Sequence, residues 1–490
     1  MNNYFELVDG RIVTDEKLAD RLNIIAQEKP ESKSQTDTGY EQDERGMAEL
    51  FALCYKNECR YCAEKKCWFV YENGRWIRDD AGLFTMGKLT EFTRLMSLYV
   101  PCIESPERRE SYGKFVAKLG DRRFRDRILK DAINELIISA TDFDANPYLI
   151  NCKNGTYDLK TGSWHEHTSD DLLTMMTNFS YRPWDRVRCP RWTKFIDDIM
   201  QGDKEKTKHL QKCAGYSMLG KSNEEMMIIL YGRTTRNGKS TFLNTLNYML
   251  GDYSDVSPVS IICKNGTKAA ETASPMIASL KGKRMVTMAE SNQYGKLDEE
   301  AIKQLTGGEE IKARNLYEKP ITFLPQFTMW LSCNDLPMFT DKSIIASDRI
   351  HVITFDRHFS HAEQDKNLKN FFCEEENMRG IFEWLIEGYK LYCKEGLEMP
   401  GVVQKAVTQY ARDNDLVLQF LEDKCVMDSD ATIRAKSLYD NYKMWCKNNG
   451  SYQCSARKFN AEMDAHTEWY GDKRIIGGYP TYCGLKLRGE

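Results

Sequence analysis

The chain has 490 residues, too many for one compact core, and roughly 100–200 residues per domain gives about three domains. With 41% hydrophobic and 29% charged residues and only 13 prolines, its composition is that of a globular protein and excludes wholesale disorder and fibrous repeats. Its 69 Lys and Arg against 73 Asp and Glu give a net charge of -4, so any nucleic-acid surface must be local rather than a basic coat.

The start, Met-Asn-Asn-Tyr-Phe-Glu, lacks the basic and apolar regions of a signal peptide, and no stretch of about 18 apolar residues occurs. A cytoplasmic protein with no membrane partner is expected. The 16 cysteines are scattered, which favours reduced thiols, most of them small buried hydrophobes.

Residues 1–46 read as a short N-terminal segment followed by a polar linker from Gln27 to Gly46. Residues 47–184 read as a mixed α/β, mostly helical domain with a hairpin at Cys67 to Asp79 turned by Asn73-Gly74. Cys54, Cys59, Cys62 and Cys67 have the count for tetrahedral zinc, but the spacing is unusual for a zinc module and apolar neighbours such as Phe51 and Trp68 favour core cysteines. Asp142-Phe143-Asp144 is expected to be a turn rather than a two-metal centre, because no partner acid or histidine is placed near it.

Between 185 and 375 short apolar strands alternate with helical patterns, which predicts an α/β domain built on a parallel sheet. The run Met226 to Tyr231 predicts a buried strand, and Thr241 to Leu250 an amphipathic helix. The joining loop, Gly232-Arg-Thr-Thr-Arg-Asn237-Gly238-Lys239-Ser240-Thr241, suits a triphosphate. Backbone N–H groups and the helix N-terminus would face the anion, Lys239 would reach the outer phosphates, and Ser240 would ligate Mg²⁺. Five residues rather than four separate Gly232 from Gly238, so Asn237 to Thr241 carry the expectation of ATP binding and Gly232 sits one residue further out than usual.

A strand over Arg284 to Ala289 would deliver Glu290, a carboxylate for the metal's water shell or the attacking water. Ala289 stands where a second acid often precedes it. A strand over Phe327 to Cys333 would deliver Asn334, whose neutral amide could bond the γ-phosphate and the lytic water without adding negative charge. A fourth is expected over His351 to Phe355. Asp298 should cap a helix ended by Gly307-Gly308, after which Lys312, Arg314, Tyr317 and Lys319 form a short basic strand pattern with one aromatic.

This succession, Asn-Gly-Lys-Ser-Thr, strand-Glu, Leu305 to Arg314 and Trp330 to Pro337, resembles superfamily 3 helicases, and more narrowly the phage, plasmid and poxvirus primase-helicase family. Asn154 to Leu159, Cys189-Pro190-Arg191-Trp192 and Gly215-Tyr216 resemble the helical region that precedes the motor in that family. The resemblance implies an AAA+-type P-loop motor forming a ring, a hexamer, on single-stranded DNA at replication forks in a bacterial host or virus-infected cell. A separately encoded primase or polymerase would be its partner. It also implies that Arg349 serves a neighbouring copy as arginine finger, with Asp348 where a second arginine often stands, and that Lys312, Arg314, Tyr317 and Lys319 form a DNA-binding pore hairpin. A helicase loader or replication initiator, and a DNA-binding scaffold that does not hydrolyse ATP, are the alternatives.

Residues 376–490 read as helical and then winged-helix-like. Leu438, Tyr439, Tyr442 and Trp445 make an apolar stripe, Ser455 caps a helix bearing Arg457 and Lys458, and Ile475-Ile476-Gly477-Gly478-Tyr479 forms the wing turn next to Lys473 and Arg474.

Overall fold

The structure is a computed structural model that describes residues 4–7, 10–26, 40–185, 187–264, 275–289, 296–316, 319–339, 342–451 and 453–489. The chain divides into two compact units, one of residues 1–187 with 248–253 and 373–380, the other of the remainder.

In the first unit, helices Glu44–Tyr55, Leu83–Tyr99, Pro106–Lys118 and Arg122–Glu135 surround an apolar core that includes Phe51, Tyr55, Phe92 and Tyr112. The expected hairpin is present as Cys67–Glu72 paired with Arg75–Asp79. Asn73 and Gly74 both have positive φ (51° and 78°), as a two-residue turn matched to strand twist requires.

A four-residue strand that the pattern did not announce, Cys59–Cys62, joins this sheet between Cys67–Glu72 and Ile137–Ile138 and answers the zinc question. Side chains alternate faces along a strand, so Cys59 and Cys62 point to opposite sides: Cys59 joins the helical core, while Cys62 and Cys67 pack with Phe69, Trp76 and Phe143. The four thiols do not converge. The Asp142 to Asp144 segment is a turn, as expected: Asp144 has φ 55° and its carboxylate accepts from the Thr174 N–H at 2.8 Å.

The second unit is built on five parallel strands: β1 (Met227–Tyr231), β2 (Ser254–Val256), β3 (Met285–Ala289), β4 (Thr328–Cys333) and β5 (Ile350–Thr354). Their order in the sheet is β2-β3-β4-β1-β5. Met227 to Leu230 are all fully buried, the continuous apolar run of a parallel strand covered on both faces. In register, Tyr231 aligns with Cys333 on β4 and Thr354 on β5, and Ala289 aligns with Ser332. The C-terminal ends of these strands therefore form one edge.

Helices α1 (Pro190–Met200), α2 (Lys204–Tyr216), α3 (Lys239–Leu250) and α4 (Glu299–Thr306) accompany the sheet. Pro190 opens α1, where a missing N–H costs nothing, and Asp298 caps α4 as expected. Trp192 of α1 stacks on Phe242 of α3 at 5.8 Å, which fixes α1 against the helix that follows the loop.

The remainder of this unit ends in α5 (Leu416–Lys424), β6 (Cys425–Arg434), α6 (Ala435–Asn448), α7 (Ala456–Ala465), β7 (Asp472–Ile476) and β8 (Tyr479–Leu487), with β8 central in an antiparallel sheet between β6 and β7. Leu438, Tyr442 and Trp445 are buried, so the aromatic stripe is core. No described helix is long and apolar enough to cross a membrane.

Candidate functional site

The loop from Gly232 to Gly238 leaves β1 and enters α3. Lys239 is 5% exposed, and its Nζ donates to the Gly232 carbonyl and to Asn334 Oδ1, both at 3.0 Å. Burying an ammonium is costly unless oxygens surround it, so this position is built for a strong acceptor. Asn334 reaches the amine because β4 lies directly beside β1 and ends level with it.

Asn237 braces the loop, its Nδ2 donating to the Thr234 carbonyl at 2.5 Å. Two glycines are required by space. A Cβ on Gly232 would stand 2.4 Å from Asn237 Nδ2 and 2.7 Å from the Phe355 carbonyl, so the longer loop still needs glycine there. Gly238 has φ 92°, and its Cβ would lie 2.5 Å from Ile199 Cγ2 on α1. The Ser240 side chain is exposed and Thr241 is half-buried at the start of α3.

A groove of about 680 Å³ opens beside the loop, between α1 and the segment 359–369. Arg191, Lys194, Arg236, Lys366 and Lys369 line it in excess over Asp198, Glu363 and Asp365, and Arg191 is ion-paired with Asp365. The sequence reading missed these cations. They come from segments far apart in the chain and follow no period.

The structure brings Gly232, Asn237, Lys239 and Asn334 together and leaves Arg349 elsewhere. Arg349 precedes β5, and that strand runs parallel to β1, so the residue sits at the opposite edge of the sheet, five strand residues or about 16 Å from the loop's level. There it donates to Thr306 Oγ1 at 2.6 Å and pairs with Glu225, not with the adjacent Asp348. Glu290 follows Ala289 at the loop edge but lies outside the described residues, as does Tyr317.

The expected basic hairpin forms from Ile311–Ala313 and Ile321–Phe323. Ile311, Ala313 and Phe323 face the core, while Lys312, Arg314 and Lys319 are exposed.

A second polar cluster lies buried where α2 meets β5. His209 Nε2 and His351 Nδ1 are 3.0 Å apart, with Cys213 Sγ 3.6 Å from His209 Nε2. The ring centres are 5.2 Å apart with planes 12° from parallel, so the facing nitrogens nearly account for the separation and meet head-on. A zinc ion needs about 2.0 Å to each nitrogen, which that straight gap does not hold, and the arrangement is a neutral N–H···N bond. Burial lowers both imidazoles, His209 to about 3 and His351 to about 4.

Comparison with known proteins gives three matched family profiles in chain order: D5 N-terminal like over residues 48–201, a family of unknown function over 230–349, and poxvirus D5 protein-like over 412–475. A putative helicase of Acanthamoeba polyphaga mimivirus is 26% identical over 459 residues, covering 86% of this chain and 47% of the relative. The primase D5 of fowlpox virus is 22% identical over 249 residues, covering 49% of this chain and 31% of that protein. The chain thus spans less than half the length of these relatives. Among solved structures, the apo A form of the NrS-1 C-terminal region aligns with a TM-score of 0.49 and 10% identity, over 90% of this chain and 98% of that one. With D5-type profiles matched on both sides of the loop and relatives named for helicase and primase, this chain is similar to the poxvirus D5 primase-helicase family.

Proposed function

We propose that this chain is an ATP-dependent DNA helicase motor that works as a ring of copies, a hexamer, moving along single-stranded DNA at replication forks. The observation that carries the proposal is the buried Lys239 amine, held between Gly232 and Asn334 where two adjacent parallel strands end. On ATP binding the amine exchanges those neutral oxygens for phosphate oxygens, while loop amides and the N-terminus of α3 hold the remainder. Asn237 shapes the turn, and Thr241 and the cationic groove flank the nucleoside end.

Ser240 and Glu290 are the residues that would hold Mg²⁺, and the exposed hydroxyl at the loop's exit suits that role. When bound, the ion neutralises charge on the phosphates. Asn334 positions the lytic water from the neutral side of the site.

The strand order supports an AAA+-type sheet: counted from the loop strand it reads 5-1-4-3-2, with the asparagine strand inserted beside the loop strand. Arg349, at the far edge of the same sheet, would reach the loop of an adjacent copy and stabilise charge on the transferred phosphoryl group. Lys312, Arg314, Tyr317 and Lys319 would carry the DNA backbone. The C-terminal succession of helix, strand, two helices and a two-stranded ribbon supports a winged-helix reading. A separately encoded primase or polymerase would complete the replication function.

The test is ATP turnover, strand displacement and particle size measured on the purified chain and on Lys239→Ala. We expect DNA-stimulated turnover and displacement by a ring, both abolished by the substitution. Turnover without displacement would identify a loader instead, DNA binding without turnover a scaffold, and either result would overturn the proposal.

A further inference from the structure

The C-terminal ribbon has a feature that the ATP site does not use. All five residues of β7 are exposed, and Gly477 and Gly478, with φ 58° and 83°, turn the chain directly into β8. The register pairs Ile476 with Tyr479 and Ile475 with Pro480, whereas the third strand stops two pairs short of the tip, at Arg434 opposite Thr481. The tip therefore projects as a bare two-stranded ribbon. It carries Ile475, Ile476 and Tyr479 at 77%, 47% and 54% exposure.

Alternation along the strands places Ile476 and Tyr479 on the same face as Arg434 and Arg474. The Arg434 guanidinium stands 4.4 Å over the Tyr479 ring, and Arg474 is exposed and pairs with Asp472 of its own strand. Arg457 and Lys458, in the first turn of α7, are also exposed.

Three side chains on a narrow ribbon are too few to build the roughly 1,000 Å² that a stable protein interface buries. One or two apolar side chains are enough to part a base step, and an aromatic ring accepts any base. Cations on the same face match the phosphates that flank such a step.

We propose that the tip Ile475–Tyr479 is a base-contacting wedge that engages the terminal bases of a single-strand–duplex junction, with Arg434 and Arg474 on the adjoining phosphates. The inference rests on the DNA reading of the preceding subsection. It adds the part of the DNA that is touched and the residues that touch it.

The experiment uses the full chain, without nucleotide, and a fork with 2-aminopurine at the junction. Wild type should bind and raise the fluorescence as the base unstacks. Ile476→Ser with Tyr479→Ser, the cross-strand pair on the cationic face and both at exposed positions, should remove most of that rise and weaken fork binding roughly tenfold, while ATP turnover stimulated by single-stranded DNA stays unchanged. An undiminished rise in the double variant refutes the wedge and leaves the DNA reading intact. A changed oligomeric size with an unchanged rise also refutes it, by making the tip a protein contact. Failure of wild type to bind any DNA removes the underlying reading, and the wedge with it.

Discussion

The buried pair of His209 and His351 makes the second unit sensitive to acid, and the size of the effect follows from the structure. Both imidazoles are held neutral, near 3 and 4 in the folded chain against 6.5 when unfolded. The unfolded chain therefore binds more protons below pH 6.5, so stability is complete above that value and is lost as pH falls toward the folded values. At pH 5 each imidazole costs about 2 kcal/mol relative to pH 8, and the pair about 4 kcal/mol. Because both folded values lie well below 5, the sum hardly depends on them. Against a total stability of about 5–15 kcal/mol this is a large share, equivalent to a fall in Tm on the order of 8 °C. Thermal unfolding followed by tryptophan fluorescence from pH 8 to pH 5 measures it, in wild type and in His209→Gln with His351→Gln. The variant should start lower, having lost the bond, but should descend with pH less steeply by that margin. Parallel curves for the two proteins would refute the reasoning.

Four further outcomes concern the candidate site and the proposed DNA surface. Gly238→Ala forces a left-handed residue, at about 1–2 kcal/mol, and a collision with Ile199, so affinity for a fluorescent ATP analogue should fall at least tenfold; an unchanged titration curve speaks against the tight loop. Asn334→Ala should lower kcat about 100-fold in a steady-state ATPase assay with KM changed less than about threefold, and a loss confined to KM would assign Asn334 to binding. Lys312→Ala should reduce the salt slope of DNA binding by about one, measured by fluorescence anisotropy across salt concentrations, with basal turnover retained; an unaltered slope removes the phosphate contact. Arg349→Ala and Lys239→Ala should each be inactive alone, yet a mixture should recover turnover at interfaces that combine an intact loop with an intact arginine; an inactive mixture argues against completion by a neighbour.

Much of the second unit can be read from the residues because each decisive element carries a local signal. Met227 to Leu230 are apolar without interruption, as a doubly covered strand must be, and the loop and α3 follow at once. What could not be read depends on parity and on distance in the chain. The cysteine cluster looks like one site by count, but once Cys59 to Cys62 is a strand, an odd offset sends its two thiols to opposite faces. The cationic groove draws on α1 and on residues near 366, and the histidine pair on positions 209 and 351, so neither has a pattern within any short window. β2, with only three residues, is too short to show alternation.

The case for a neighbouring copy comes from topology rather than from any one residue. A parallel sheet has two unlike edges, one gathering strand C-termini and one gathering N-termini. Here the first edge bears Lys239 and Asn334, and the second bears Arg349, which no rearrangement of side chains within one chain brings across about 16 Å. Copies stacked edge to edge in a closed ring join the two at every interface, which open pairs cannot do for all their sites. Arg349, its own side chain 15% exposed, would then leave the half-exposed Glu225 carboxylate and the Thr306 hydroxyl. Presenting the arginine to a neighbour would therefore cost an ion pair and a hydroxyl hydrogen bond, each worth about 1 kcal/mol, which contact with a phosphoryl group would offset.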